Sequence, residues 1–115
     1  MYLQIMLQSS ALQQFQNMPL DEKGLEKAAN LLRGIAHPTR LAIVQSLTMM
    51  ESCSVGELSK SLGVEMSLLS HHLGQMRILG LLKTNRKGKF VYYQIAEPEL
   101  LKMLECVTIC TQKQS

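Results

Sequence analysis

Four short polar side chains stand out for what they could do: Ser67, Ser70, His71 and Gln75, within Val-Glu-Met-Ser-Leu-Leu-Ser-His-His-Leu-Gly-Gln-Met-Arg at 64–77. Each can donate and accept hydrogen bonds at close range. Leu69, Leu73 and Met76 recur at helical spacing, so the segment reads as one helix with an apolar stripe and an uncharged polar face. Solvated helix faces usually carry Lys and Glu. Compact readers suit a helix that presses into a narrow polar groove such as the major groove of DNA. The plainer alternative is an amphipathic helix whose outer face lacks charge. His71 and His72 are adjacent, point in different directions from a helix and cannot chelate one metal ion together.

The flanking residues supply the elements that would position this face. Ser54-Val55-Gly56-Glu57 has the Ser-x-x-Glu form of a capping box and opens a helix through Leu58 and Leu62. Gly63 suits the left-handed position that ends it. Helix, tight turn and second helix make helix-turn-helix spacing, in which the second helix reads the groove. Downstream, the β-prone runs Leu81–Arg86 and Lys89–Ile95 flank Lys87-Gly88, which predicts a hairpin. Its tip carries Arg86, Lys87 and Lys89, placed to approach phosphates as a wing.

The charge distribution agrees. The chain of 115 residues has a formal net charge of +3, but between Met66 and Ala96 there are five basic residues and no Asp or Glu. That stretch is +5 and the remainder −2. A polyanion is the natural partner of such a patch, a solvated basic face being the plainer alternative, and with the helix and wing above the expected polyanion is double-stranded DNA. The length fits one domain that buries roughly two-thirds of its chain surface. No secretory signal or membrane-length apolar run is apparent, so a cytoplasmic protein is expected. The three cysteines, Cys53, Cys106 and Cys110, are an odd number, which argues against a structural disulfide framework.

Residues 1–18 are Gln-rich and read as an N-terminal extension, helical or partly disordered, ahead of a domain spanning 19–115. Asp21 is a candidate N-cap for a helix with Leu25, Ala28, Ala29, Leu32 and Ala36 on one face. Pro38 fits the first turn of the next helix, whose core face is Leu41, Val44 and Leu47. Glu97-Pro98-Glu99 opens a last helix with Leu100, Met103, Leu104 and Val107 on a broad stripe, extended by Ile109 and Cys110. That is more apolar surface than one small core needs, and it predicts a subunit interface shared with the Leu25–Ala36 face.

Taken together, these segments resemble the ArsR/SmtB family of bacterial winged-helix repressors. The residues that carry the likeness are Leu31-Leu32-Arg33-Gly34-Ile35-Ala36-His37-Pro38-Thr39-Arg40-Leu41, then Ser67-Leu68-Leu69-Ser70-His71-His72-Leu73 with Met76-Arg77, then Gly80-Leu81-Leu82 and Arg86-Lys87-Gly88-Lys89 with Tyr93. The resemblance implies a homodimer that binds a palindromic operator and releases it when an inducer arrives. It places Ser67, Ser70 and His71 near bases, and Arg86, Lys87 and Lys89 near phosphates. Thiol-sensing members carry Cys-Val-Cys where this chain has Ser54-Val55-Gly56, with Cys53 one residue early. The zinc ligands of other members are replaced on the last helix by Glu97-Pro98-Glu99 and Cys110-Thr111-Gln112-Lys113, without histidine, so no metal site is expected there. Cys106 and Cys110 remain as a candidate thiol sensor, with Cys53 if the fold brings it near. They would respond to oxidants, sulfur species, a soft metal ion or arsenite. Small packing residues in a dimer helix explain the same cysteines. Some members pair such a cysteine with one in the second helix, and that place is Gln45 here.

The expected fold is therefore mainly α with a small β-hairpin: a dimeric winged helix-turn-helix. The expected function is DNA-binding transcriptional regulation, with no cofactor. An enzyme is disfavoured, since there is no Gly-rich phosphate loop and no nucleophile–base pair. The competing reading is a winged-helix protein-interaction module, for which an acidic or apolar wing would be the sign.

Overall fold

The computed structural model describes residues 21–113, so the N-terminal extension at 1–18 lies outside the described residues. The elements run α1 (Glu22–Ile35), α2 (Pro38–Met50), β1 (Cys53–Ser54), α3 (Val55–Leu62), α4 (Met66–Ile78), β2 (Leu82–Lys87), β3 (Phe90–Ile95) and α5 (Leu100–Lys113). No helix among them is long and apolar enough to cross a membrane.

Local chemistry sets most boundaries. Asp21 caps α1 by accepting from the Gly24 amide at 2.7 Å. The His37 ring caps α2 through Nδ1, which accepts from the Thr39 amide at 3.0 Å, and Pro38 takes the first helical position. The capping box of α3 is complete: the Glu57 amide donates to Ser54 Oγ at 3.2 Å and the Ser54 amide donates to Glu57 Oε1 at 3.1 Å. Gly63 follows at φ +67°, and Ser59 Oγ donates to the Val64 carbonyl at 2.7 Å, clamping the turn into α4.

The end of α4 shifts the hairpin from its expected bounds. Gly80 sits at φ +82°, its amide donates to the Arg77 carbonyl, and the Leu81 amide donates to the Met76 carbonyl. This is a Schellman closure, and it takes Leu81 out of the strand. The ladder then runs from Leu82 opposite Ile95 to Lys87 opposite Phe90, so the two-residue turn is Gly88-Lys89 rather than Lys87-Gly88. Gly88, at φ +64°, takes the first central position, which tight hairpins of the II′ type reserve for glycine. The sheet also gains a strand that the sequence reading lacked. Cys53 and Ser54 pair with Tyr93 and Tyr92, giving the order β1-β3-β2. A two-residue strand carries no periodic signal of its own; its pairing depends on β3, forty residues later.

The core draws on every helix and on the sheet: Ile35, Ile43, Val44, Leu47, Cys53, Leu58, Leu69, Leu73, Met76, Leu81, Leu82 and Leu100 are all buried. Helix α1 turns Leu31, Gly34 and Ile35 inward, while Leu25 and Leu32 remain 57% exposed. Helix α5 packs Leu100, Met103 and Leu104 inward, against α2, and leaves Leu101, Val107 and Ile109 exposed.

Gly34 is a close approach. A Cβ there would overlap the Leu81 side chain, which is itself fully buried. Gly34→Ala should therefore destabilise. Overpacking costs about 1–3 kcal/mol, against a helix-propensity gain of at most about 1 kcal/mol. A lowered urea midpoint with an unchanged m-value is the expected result.

Candidate nucleic-acid interface

The recognition helix α4 is fixed from below. Leu69, Leu73 and Met76 are fully buried, and each contributes roughly 1.5–3 kcal/mol on burial. With that stripe committed to the core, the opposite side has one direction left. Ser67, Ser70, His71 and Gln75 are all exposed on it or on its flanks. Ser67 Oγ donates to Glu65 Oε1 at 2.9 Å, so in this arrangement the hydroxyl offers its lone pairs outward as an acceptor.

The wing stands beside this face, continuing directly from the Schellman turn. Arg86, Lys87 and Lys89 are exposed. Lys87 Nζ lies 5.8 Å from the centre of the Tyr92 ring and Lys89 Nζ lies 5.6 Å from that of Phe90. These cation–π contacts hold the ammonium groups without neutralising them. The salt bridge found among the described residues joins Lys102 to Glu99 at the start of α5 at 3.4 Å, so none of the described carboxylates forms a salt bridge with the wing.

One part of the site escaped the sequence reading. His72 is buried at 6% exposure. Its Nδ1 accepts from Arg40 Nε at 3.0 Å, and its ring centre lies 4.5 Å from that of His37. Arg40 Nη1 also donates to the Arg33 carbonyl at 3.4 Å. One guanidinium thus ties the end of α1 to the recognition helix. The signal was present but ambiguous: His72 completes the i, i+3, i+4, i+7 pattern with Leu69, Leu73 and Met76, so helical period alone puts it inside. The chain position of its partner, 32 residues earlier, is a tertiary fact.

The cysteines separate. Cys53 is 1% exposed in the core, with Sγ 3.9 Å from Met50 Sδ. Burial, and then the charge of Glu57, push its thiol pKa up, which disfavours the reactive thiolate. It does not share the surface of Cys106 and Cys110, which are both exposed on α5. No group of three or more His, Cys, Asp or Glu residues among those described is arranged to hold a metal ion.

A short helix, a tight turn, a recognition helix with its polar face outward and a basic β-wing define a winged helix-turn-helix protein. Residues 37–84 match the model for bacterial regulatory proteins of the arsR family. The chain is 35% identical over 95 residues to a biofilm growth-associated repressor of Xylella fastidiosa, covering 81% of this chain and 82% of that one. It is 38% identical over 89 residues to the transcriptional activator HlyU of Vibrio cholerae, covering 77% and 82%. The crystal structure of the transcriptional repressor PagR of Bacillus anthracis superposes with a TM-score of 0.70 at 34% identity, over 76% of this chain and 99% of that one. The chain belongs to the ArsR family of bacterial regulatory proteins.

His72 predicts a pH dependence of stability. Burial first, then electrostatic interaction with His37, Arg40 and His71, lowers its pKa from the ordinary 6.5. The unfolded chain therefore takes up a proton at a pH where the folded chain does not, and stability falls as pH drops. The contribution is complete above about pH 6.5 and is lost as pH falls through the lower folded value. Urea midpoints measured from about pH 7.5 down to about pH 5 should fall for the wild type and fall less steeply for His72→Gln.

Proposed function

We propose that this protein is a cytoplasmic, homodimeric repressor that binds a palindromic operator. The carrying observation is the exposed row Ser67, Ser70, His71 and Gln75 beside an unneutralised basic wing. Hydrogen-bonding groups without charge read base edges, and cations on a flanking hairpin hold phosphates. Of the three relatives described above, two are named as repressors and one as an activator. The sign of regulation is assigned here to repression on that balance.

The dimer is inferred from uncovered apolar side chains on α1 and α5, including Leu25, Leu32, Leu101, Val107 and Ile109. Joined face to face about a two-fold axis, they present two recognition helices to two half-sites. The test is binding of operator and random duplexes by wild type, Lys87→Ala and Lys89→Ala over a range of salt. The wild type should bind as two chains per duplex. Each lysine variant should weaken both duplexes about equally and reduce the salt slope by about 1. A wild type that ignores random duplex at low salt would instead support a protein-interaction module.

We also propose that Cys106 and Cys110 make the operator complex sensitive to thiol reagents. Both are exposed and lie four residues apart on α5. Their Cβ atoms in an intact helix are about 5–6 Å apart, whereas a disulfide needs about 3.8 Å. Reaction therefore means bridging to the second subunit, unwinding the helix end, or holding a soft ion or arsenite. Each changes the dimer helix and with it the spacing of the two recognition helices. Oxidant, persulfide or arsenite should release the wild type from DNA and leave Cys106→Ser, Cys110→Ser bound. Indifference of the wild type to all three would reduce the cysteines to packing residues.

A further inference from the structure

The polar face of α4 is bordered by two apolar side chains that neither the core nor hydrogen bonding explains. Met66 is 51% exposed and Leu68 is 47% exposed. At 3.6 residues per turn they sit about 100° to either side of Ser67, in the first turn of the helix. Met66 leans on the wing, lining a small recess with Val55, Phe90 and Val91. Leu68 borders the other side, in line with the exposed Gln75 about two turns on. The N-terminal turn of a recognition helix is the part that meets base edges. An exposed leucine there gains nothing from water or from phosphate. The major groove offers one apolar group, the C5-methyl of thymine.

We propose that Leu68, with Met66 on the opposite border, reads thymine methyl groups, so that each operator half-site carries thymine beside the bases faced by Ser67 and His71. The inference rests on the DNA-binding reading above. What commits the occupant to duplex DNA, rather than to another apolar surface, is charge: Lys89 lines the same recess as Met66 on a wing that also exposes Arg86 and Lys87, and the adjoining carboxylate, Glu65, is engaged by Ser67. A patch that positive attracts a polyanion and discourages a second copy of itself. Two apolar contacts at the borders of the polar row also add shape to a face otherwise built from the polar groups of Ser67, Ser70, His71 and Gln75. Hydrogen-bonding groups in the major groove distinguish bases by donor and acceptor, and the methyl contact adds discrimination of thymine by bulk.

The experiment uses the full chain. A site is first enriched from a random duplex pool. Each enriched thymine is then replaced, one at a time, by deoxyuridine, which removes the methyl and keeps the base pair. At one or two thymines per half-site, binding should weaken about fourfold per methyl removed, the value of one buried methyl or methylene group. Leu68→Ala should bind the thymine duplex more weakly and lose discrimination at its thymine, while its affinity for random duplex and its salt slope stay as in wild type. Met66→Ala should do the same at a different position. Equal binding of thymine and deoxyuridine duplexes throughout overturns the methyl reading and leaves the DNA reading standing. Discrimination that survives in both variants overturns the assignment to these residues. Failure to enrich any site, together with no binding to duplex at low salt, overturns both readings at once.

Discussion

The structure depends on the complete burial of one side of α4. Leu69, Leu73 and Met76 have no exposed surface, and His72 fills the remaining place on that side with its Nδ1 satisfied by Arg40. Burial of this stripe decides which side of α4 faces the core, although the hydrophobic effect is itself non-directional. The Arg40–His72 bond is directional. It adds a directional tether to the apolar packing that sets the rotation of α4, and the same guanidinium reaches the end of α1. The direction in which Ser67, Ser70, His71 and Gln75 point is therefore set by groups on the far side of the helix.

The wing inherits its position from the same helix. The Schellman closure at Gly80 and Leu81 leads straight into β2, with no linker to absorb motion. The Leu81 side chain lies against Gly34 of α1, and the Leu81 carbonyl accepts from the Ala96 amide at the end of β3. Recognition helix and wing are in this way parts of one packed unit. Charge follows the same division: the exposed face of α4 carries uncharged hydrogen-bonding groups, and the cations stand apart on the hairpin tip, where the proposed complex would place phosphates.

Two groups among the uncovered apolar side chains have different settings. Those on α1 and α5 are several, lie on long helices and are mixed with acidic as well as basic residues. Met66 and Leu68 are two residues at the start of α4, within a stretch that contains basic residues and no acidic ones. A broad apolar face on helices suits another folded surface. A narrow apolar edge in a basic groove-reading turn suits a small apolar group on a charged ligand.

Much of this was legible in the sequence. Helical period marked α1 through α5, the capping box at Ser54-Glu57 and the glycine at Gly63 placed the turn, and the acid-free basic stretch marked the cations that the hairpin exposes. These are local signals, since caps, turns and hydrophobic period act over a few residues. The thiol residues could be named but not sorted: burial separates Cys53 from Cys106 and Cys110, and burial is a property of the packed chain. The exposed apolar border of α4 was hidden because period counts apolar residues without saying which of them the core accepts. The strand at Cys53-Ser54, the contact of Gly34 with Leu81 and the bond from Arg40 to His72 lay beyond sequence reasoning altogether. Each joins groups tens of residues apart, so it exists only once the chain has folded and brought both partners to the same place.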